Sequence, residues 1–233
     1  MRPKTLDHVA YWLRDRDAIA GFVTAYLGMH VIERTDRFTL VGSDARHGKL
    51  TLFAADGPRE PGALLHVALR VSELESALAQ LPPDAQLDRL RPGEAYVDLG
   101  EGVRLGLVEA ETAVEYDLDH VALVAADPAA TAEAYTSLGF AAAAPGPSGR
   151  RRVEVGGAYV EFEQGDPGNP ERPLLNHIAV LVDSVEEHLE EADELGIEID
   201  DVVDAANTYA VFLRGPEQVR IEYVEHKPTF SLS

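Results

Sequence analysis

Residues 118–122 read LDHVA, and the same five letters stand at residues 6–10. Two related segments, LLHVA at 64–68 and LNHIA at 175–179, complete a set of four. Each segment opens an apolar run in which polar or small residues alternate with aliphatic ones, which is the period of a β-strand. The four histidines follow one another at intervals of 54 to 58 residues. Such regular spacing indicates an internal repeat of one structural unit.

The segments behind each histidine strand predict the rest of the repeated unit. Each strand is followed by a helical pattern and then by shorter extended stretches, which gives the order βαβββ. Ser72 with Glu75, and Ser184 with Glu187, fit the capping box, in which a serine oxygen and a glutamate satisfy amides of the first helical turn. The predicted helices cover residues 15–27, 73–81, 128–138 and 185–195.

Two such units are expected to form one module, because polar, proline-rich connections at 55–63 and 165–173 join the units within each pair. The break between the pairs falls near residue 113. The sequence therefore predicts an α+β protein with an N-terminal module, residues 1–113, and a C-terminal module, residues 114–233.

The composition narrows the classes of partner. The chain has 233 residues and a formal net charge of −21, and such an acidic surface repels nucleic acids. It lacks an apolar stretch long enough for a membrane span, and its first residues lack the apolar core of a signal peptide. With no cysteine, any metal must be held by nitrogen and oxygen ligands. We expect a cytoplasmic protein, monomeric or homodimeric, that acts on a small molecule.

The four histidine segments, together with the VRIEYV stretch around Glu222, resemble the vicinal oxygen chelate superfamily over nearly the whole chain. This superfamily includes glyoxalase I, extradiol dioxygenases, methylmalonyl-CoA epimerase and the fosfomycin and bleomycin resistance proteins. The resemblance implies paired βαβββ units, each pair an open, curled mixed sheet flanked by helices. It also implies a divalent metal ion on the concave face, and no nucleotide or organic cofactor.

Carried over residue by residue, the resemblance implies a metal site in the C-terminal module. His120, His177 and Glu222 match the 2-His-1-carboxylate ligand set, which leaves coordination positions open. Glu161 stands where glyoxalase-type members carry a fourth ligand. Glu161 and Glu222 are therefore the predicted catalytic residues, and Arg220, Tyr209 and Tyr159 are the predicted substrate contacts.

The N-terminal module departs from this pattern. His8 and His66 are in place, but Thr51 stands where Glu161 would be and Gly106 where Glu222 would be. We therefore expect this module to be free of metal. By strand alternation, the residue before each ligand histidine (Asp7, Asp119 and Asn176) should point to the opposite face of its strand.

The resemblance leaves three functions open. The first hypothesis is a glyoxalase-like isomerase, lyase or epimerase that uses nickel, zinc, cobalt or manganese, with one glutamate moving a proton. The second is an extradiol ring-cleaving dioxygenase that uses iron or manganese. Those enzymes resemble one another in carrying a further active-site histidine between the two ligand histidines, and residues 121–176 contain none. The third is a non-catalytic small-molecule binding or resistance protein.

Overall fold

The computed structural model describes residues 1–146 and 148–230. It confirms an α+β fold made of four βαβββ units. The first unit consists of β1 (Thr5–Leu13), α1 (Arg16–Tyr26), β2 (His30–Arg34), β3 (Phe38–Gly42) and β4 (Lys49–Ala54). The second consists of β5 (Leu64–Val71), α2 (Leu74–Leu78), β6 (Leu87–Arg91), β7 (Glu94–Asp98) and β8 (Arg104–Glu109).

The third and fourth units repeat this order. The third consists of β9 (Asp117–Ala125), α3 (Pro128–Ser137), β10 (Ala141–Ala143), β11 (Arg151–Val155) and β12 (Ala158–Gln164). The fourth consists of β13 (Leu175–Leu181), α4 (Val185–Leu195), β14 (Ile199–Asp204), β15 (Thr208–Arg214) and β16 (Arg220–His226), with a 3₁₀ turn (Pro216–Gln218) between the last two strands.

The strands form two open, mixed sheets of eight strands each. In every unit the first and last strands pair in parallel, as β1 does with β4 and β9 with β12. Two units then join through antiparallel pairing of their histidine strands, β1 with β13 and β5 with β9. The first sheet therefore contains units one and four, and the second sheet contains units two and three.

This pairing differs from the expected modules, because neither residues 1–113 nor residues 114–233 form a sheet of their own. The two proline-rich connections explain the difference, since each carries the chain from one sheet to the other. They run side by side: the amide of Glu60 donates to the carbonyl of Arg172 at 3.0 Å, and that of Leu174 to the carbonyl of Glu60 at 2.6 Å.

Each sheet has one face for its helices and one for its histidines. In β1, Val9, Tyr11 and Leu13 are fully buried against the core that includes the apolar side of α1. His8 and Ala10 alternate with them and face the other way. Burial of each large apolar side chain contributes about 1.5–3 kcal/mol, so the helix face fixes which residues remain on the histidine face.

Contacts of the fourth unit with the third unit connect the two sheets. The hydroxyl of Tyr223 donates to the carbonyl of Leu138 at 2.6 Å in the buried core. The carboxylate of Glu217 accepts from the Ala126 amide at 3.2 Å and the Thr131 hydroxyl at 3.0 Å, next to the start of α3. These bonds satisfy polar groups that the sheet contact would otherwise bury without partners.

The predicted helix starts have different outcomes. The Ser184 hydroxyl accepts from the Glu187 amide at 3.3 Å, which confirms that side of the predicted cap of α4. At α2 the capping prediction is wrong: the helix is short and begins after Glu73, without a side-chain cap. Glu109 accepts from the Leu74 amide instead, at 2.9 Å. Within the described ranges, no helix has the length and apolar character needed to span a bilayer.

Candidate metal centres

The predicted ligands divide between two clusters. His8, His177 and Glu222 form the first site, in the first sheet; His66, His120 and Glu161 form the second site, in the second sheet. In each cluster, donor atoms from all three side chains lie within 4.8 Å of one another. The structure therefore does not place His120, His177, Glu161 and Glu222 around one ion. The reason is strand pairing, because β13 lies beside β1 and β9 beside β5.

The donor atoms of the first site are close together. The Nε2 atoms of His8 and His177 lie 2.9 Å apart, and Glu222 Oε2 lies 3.2 Å from the first and 2.9 Å from the second. Bonds of about 2.1 Å at right angles around one cation would separate the donor atoms by about 3 Å. The spacing therefore suits three adjacent positions around a small divalent ion.

The orientation of the two imidazoles also fits a cation. His8 Nδ1 lies 2.7 Å from the Asp7 carboxylate, and His177 Nδ1 lies 2.9 Å from Asn176 Oδ1. Both partners are acceptors, so both Nδ1 atoms carry the donated hydrogen, and each ring in its neutral form points its Nε2 lone pair at Glu222. Glu222 Oε2 is buried, and apart from the two histidines it has no hydrogen-bond partner among the described residues. The positive charge that these atoms need comes from a proton on His8, whose pKa is raised to about 9, or from a cation that takes the place of that proton.

The residue before each ligand histidine is not on the opposite face, so the alternation argument was wrong. The β1–β13 ladder shifts register between Leu6 and His8, which leaves Asp7 in a bulge, and the same ladder also shifts opposite Asn176. Asp119 lies in a bulge of the β5–β9 ladder. A bulge adds one residue to a strand and redirects side chains, so neighbours in sequence reach the same side.

The charges at the first site act on the pKa values of its members. Burial lowers the pKa of His8, but the Glu222 and Asp7 carboxylates outweigh burial and raise it to about 9. Burial lowers the pKa of His177 below its usual value, against the influence of Glu222. Burial raises the pKa of Glu222, but the two histidines overcome burial and hold it well below the usual range of a glutamate. Glu222 is therefore charged near neutral pH.

Behind His8 lies a group of charges that the sequence analysis missed. The Asp7 carboxylate lies 2.8 Å from Lys49 Nζ and 3.1 Å from His226 Nε2. Although burial raises the pKa of Asp7, the Lys49 ammonium and the histidines lower it well below the ordinary value. Lys49 is two residues before Thr51 and therefore lies on the same face of its strand. The sequence alone could thus have predicted that Lys49 lies near the site.

The fourth ligand position of the first site is taken by Thr51. Thr51 pairs with Ala10 in β1–β4, as Glu161 pairs with Ala122 in β12–β9. In every unit an alanine follows the ligand histidine by two residues, and all four of these alanines are fully buried on the histidine face: Ala10, Ala68, Ala122 and Ala179. A methyl group on that face leaves space above the sheet for an ion and its ligands.

Aromatic rings surround the first site. The Phe212 ring lies 5.1 Å from the His177 ring and the Phe53 ring 6.2 Å from it. Trp12 and Phe38 pack against Phe53 with centroid separations of 5.2 and 5.6 Å. One side of the first site is thus aromatic, which suits a small organic substrate.

The predicted substrate contacts lie in three different places. The Arg220 guanidinium lies over the Phe212 ring at 4.5 Å and pairs with Asp200, at the wall of the first site. Tyr159 stacks on His120 at 4.6 Å and therefore belongs to the second site. Tyr209 packs against the helix-side core, because Ala210 and Phe212 take the histidine face of β15. Because side chains alternate along β15, Tyr209 faces away from the histidine face and belongs to neither cluster.

The second site differs from the first in its carboxylate. His66 and His120 place their Nε2 atoms 3.0 Å apart, and His120 Nδ1 lies 2.6 Å from Asp119. The Glu161 carboxylate accepts from Arg150 Nη1 at 2.5 Å and from the Ser148 hydroxyl at 2.9 Å. Burial, together with the His120 and Arg150 charges, lowers the pKa of His66 to about 2.

Gly106 occupies the position in the second site that corresponds to Glu222. A Cβ on Gly106 would lie 2.9 Å from Tyr96 Cε1 and 3.0 Å from the Ala68 Cβ. The Tyr96 ring, 4.7 Å from that of His66, fills the space instead. Both halves of the chain thus contribute ligands to both clusters, and the metal-free N-terminal module that the sequence suggested has no counterpart in this arrangement.

Comparison with known proteins agrees with this geometry. A family model described as the glyoxalase/bleomycin resistance protein/dioxygenase superfamily matches residues 5–85 and 117–223. The chain therefore belongs to this superfamily, as the histidine repeat predicted. Comparison with curated proteins gave no match.

Two solved structures are similar over almost the whole chain. A candidate dioxygenase from Bacillus subtilis subsp. subtilis str. 168 has a TM-score of 0.78 at 16% identity, with 98% of this chain and 87% of that chain covered. Glyoxalase I from Zea mays has a TM-score of 0.72 at 16% identity, with 95% and 92% covered. At this identity the likeness establishes the fold.

Proposed function

We propose that the protein is a divalent-metal-dependent enzyme that binds two adjacent oxygens of a small substrate at the first site, and that it catalyses ring cleavage with dioxygen. One observation carries the proposal. The first site brings together two histidines and one glutamate, with Thr51 in place of a fourth ligand. Open facial sites of this kind with Fe(II) are typical of non-haem oxygenases.

This proposal reverses the order of the hypotheses drawn from sequence. The isomerase hypothesis required Glu161 and Glu222 on one ion, so that one of them could leave it and move a proton. Glu161 instead lies with His66 and His120 and is paired with Arg150. A second glutamate is thus not at hand in the first site, and a three-ligand centre agrees better with the donor set.

The residues of the first site have distinct proposed roles. Glu222 would supply the negative charge, and His8 and His177 would complete the ligand set as neutral imidazoles once the ion displaces the proton of His8. Asp7 and Asn176 orient the two rings. A bound Fe(II) or Mn(II) ion would supply a Lewis acid with positions open to substrate and dioxygen. The aromatic wall would exclude water and hold a flat ring, and Arg220 would attract an anionic substituent on it.

A glyoxalase-like isomerase or epimerase is the second candidate, and one observation favours it. The histidines outside the two clusters lie elsewhere: His30 is exposed, His47 contacts Asp44, His188 contacts the Ser184 carbonyl on α4, and His226 is held behind Asp7. The extra active-site histidine that extradiol dioxygenases share has therefore no counterpart among these. In that reaction Glu222 would act as the base.

Oxygen consumption separates the two candidates. The protein is loaded anaerobically with Fe(II) or Mn(II) and mixed with catechols at an oxygen electrode. We expect oxygen uptake that His177→Ala and Glu222→Ala abolish and Glu161→Ala retains. Exchange of a substrate α-proton into deuterated water without oxygen uptake would favour the isomerase. Binding without either reaction would leave a small-molecule binding protein.

A further inference from the structure

The two sites occupy equivalent positions, but one side chain makes them electrostatically different. Arg150 precedes β11 and reaches over the second site. Its guanidinium pairs with Glu161 at 2.5 Å and also with Glu163. Glu161 is the carboxylate ligand candidate of that cluster and is almost fully buried. The negative charge of the Glu161 carboxylate is therefore already paired with the positive charge of Arg150.

Strand register identifies what stands at the same positions of the first site. Phe38 pairs with Phe53 across β3–β4, two residues beyond the Leu40–Thr51 pair. In the second sheet Arg152 pairs with Glu161, so that Arg150 and Glu163 are the counterparts of Phe38 and Phe53. An aromatic pair at the mouth of the first site is thus replaced by an ion pair at the second.

The other two candidate ligands of the second site are histidines, so among the described residues Glu161 is the only carboxylate in that cluster. Gly106 replaces the other, and the Tyr96 ring blocks that position. An incoming divalent ion would have to share Glu161 with the guanidinium a few ångströms away. Two cations on one buried carboxylate repel each other strongly, because little water screens them.

We propose that the guanidinium of Arg150 occupies the place of a cation in the second site and prevents divalent metal binding there. The protein then carries one ion, in the first site, although it has two clusters of similar shape. Arg150 makes two charge-assisted contacts with Glu161 and Glu163, which hold it in place. The count of one ion, but not the role of Arg150, rests on the proposed function.

Metal stoichiometry tests this proposal. The full chain is stripped with chelator and titrated with Co²⁺, followed by calorimetry and by the visible absorption of bound cobalt. We expect one ion per chain for the unchanged protein and two for Arg150→Met, which keeps the aliphatic stem and removes the charge. Arg151→Ala is the matched control, because it removes an exposed neighbouring arginine, and it should leave the count at one.

The added ion should depend on the second cluster. Combining Arg150→Met with His66→Ala should return the count to that of the unchanged protein, whereas His177→Ala in the Arg150→Met background should remove the first ion and keep the second. Arg150→Gln repeats the measurement in case the methionine variant does not fold, as judged by circular dichroism. Two ions in the unchanged protein, or no gain in either folded variant, would overturn the proposal. If the first site binds no metal, the counts become zero and one, and the difference still tests Arg150.

Discussion

At the scale of single residues, the first site depends on contacts behind its ligands. Asp7 holds His8 through Nδ1 and is itself held by Lys49 and His226. Such partners fix the ring orientation and raise the basicity of the ligand nitrogen. His177 has a neutral partner, Asn176, in the equivalent place. The charge that supports the first site therefore comes mainly from the His8 side.

Removal of the Asp7 charge should weaken metal binding. We expect Asp7→Asn to lower the affinity of the first site for Co²⁺ by about 10- to 100-fold, the usual effect of a lost outer-shell carboxylate. Isothermal titration calorimetry measures it. Asp44→Asn is the matched control, because Asp44 also contacts a histidine, His47, but in an exposed turn. Equal affinities in the two variants would contradict this role of Asp7.

A fourth ligand can be added to the first site at Thr51. In Thr51→Glu the new carboxylate takes the register position that Glu161 has in the second sheet. We expect the ion to be lost more slowly to a chelator and oxygen uptake to fall, because an open position is filled. Glu161→Thr, the reciprocal change in the other sheet, should leave both rates as they are. Faster metal loss from Thr51→Glu would contradict the assignment of residue 51 to the fourth ligand position of the first site.

The residue types of the sites could be predicted from sequence, and their grouping could not. His120, His177, Glu161 and Glu222 all lie in candidate metal clusters. Sequence similarity between units does not say which strands pair across a sheet, so the grouping of His8 with His177, and of His66 with His120, could not be predicted. Asp7 was missed because bulges break the alternation on which the argument relied.

At the scale of elements, helix starts were predictable where no other group competes for the first amides. Ser184 caps α4, and Asp127 accepts from the Ala129 and Ala130 amides at the start of α3, as its position before Pro128 suggests. At α2 a carboxylate from a distant part of the chain replaces the cap: Glu109 accepts a hydrogen bond from the Leu74 amide. A local capping rule cannot include such partners.

The two serines should therefore respond differently to removal of the hydroxyl. We expect Ser184→Ala to lower the free energy of unfolding by about 0.5–2 kcal/mol, the usual cost of a lost cap. Ser72→Ala should be close to neutral, because α2 has no side-chain cap. Urea denaturation of the two variants measures the difference. A loss of similar size in both would contradict this assignment of the caps.

At the scale of the whole molecule, the pairing of the histidine strands, β1 with β13 and β5 with β9, decides which units share a sheet. The seven residues between β8 and β9 (110–116) join units two and three within the second sheet. The longer proline-rich connections cross between sheets. The difference between these connections was visible in the sequence, but the proline-rich connections were interpreted as joining two units of one module. The repeat itself, the order βαβββ and the class of fold were all predictable.

Fragments should reflect this arrangement. Residues 64–164 contain all eight strands of the second sheet, whereas residues 1–113 contain half of each sheet. We expect the first fragment to keep a strand signal in circular dichroism and to unfold cooperatively. The second should lack a cooperative transition, because β1 and β5 lose their antiparallel partners. Cooperative unfolding of residues 1–113 would refute this account.

The separation of the ligands along the chain has a consequence for the order of assembly during synthesis. His66 and His120 are 54 residues apart, while His8 and His177 are 169 apart. A ribosome releases Glu161, the last member of the second cluster, before His177 and long before Glu222, and domains fold as their segments appear. A nascent chain would therefore offer the wrong pair of imidazoles to free metal first. If Arg150 already pairs with Glu161 at that stage, the nascent chain would not bind an ion at the second site. The ion would then bind at the first site, which forms later.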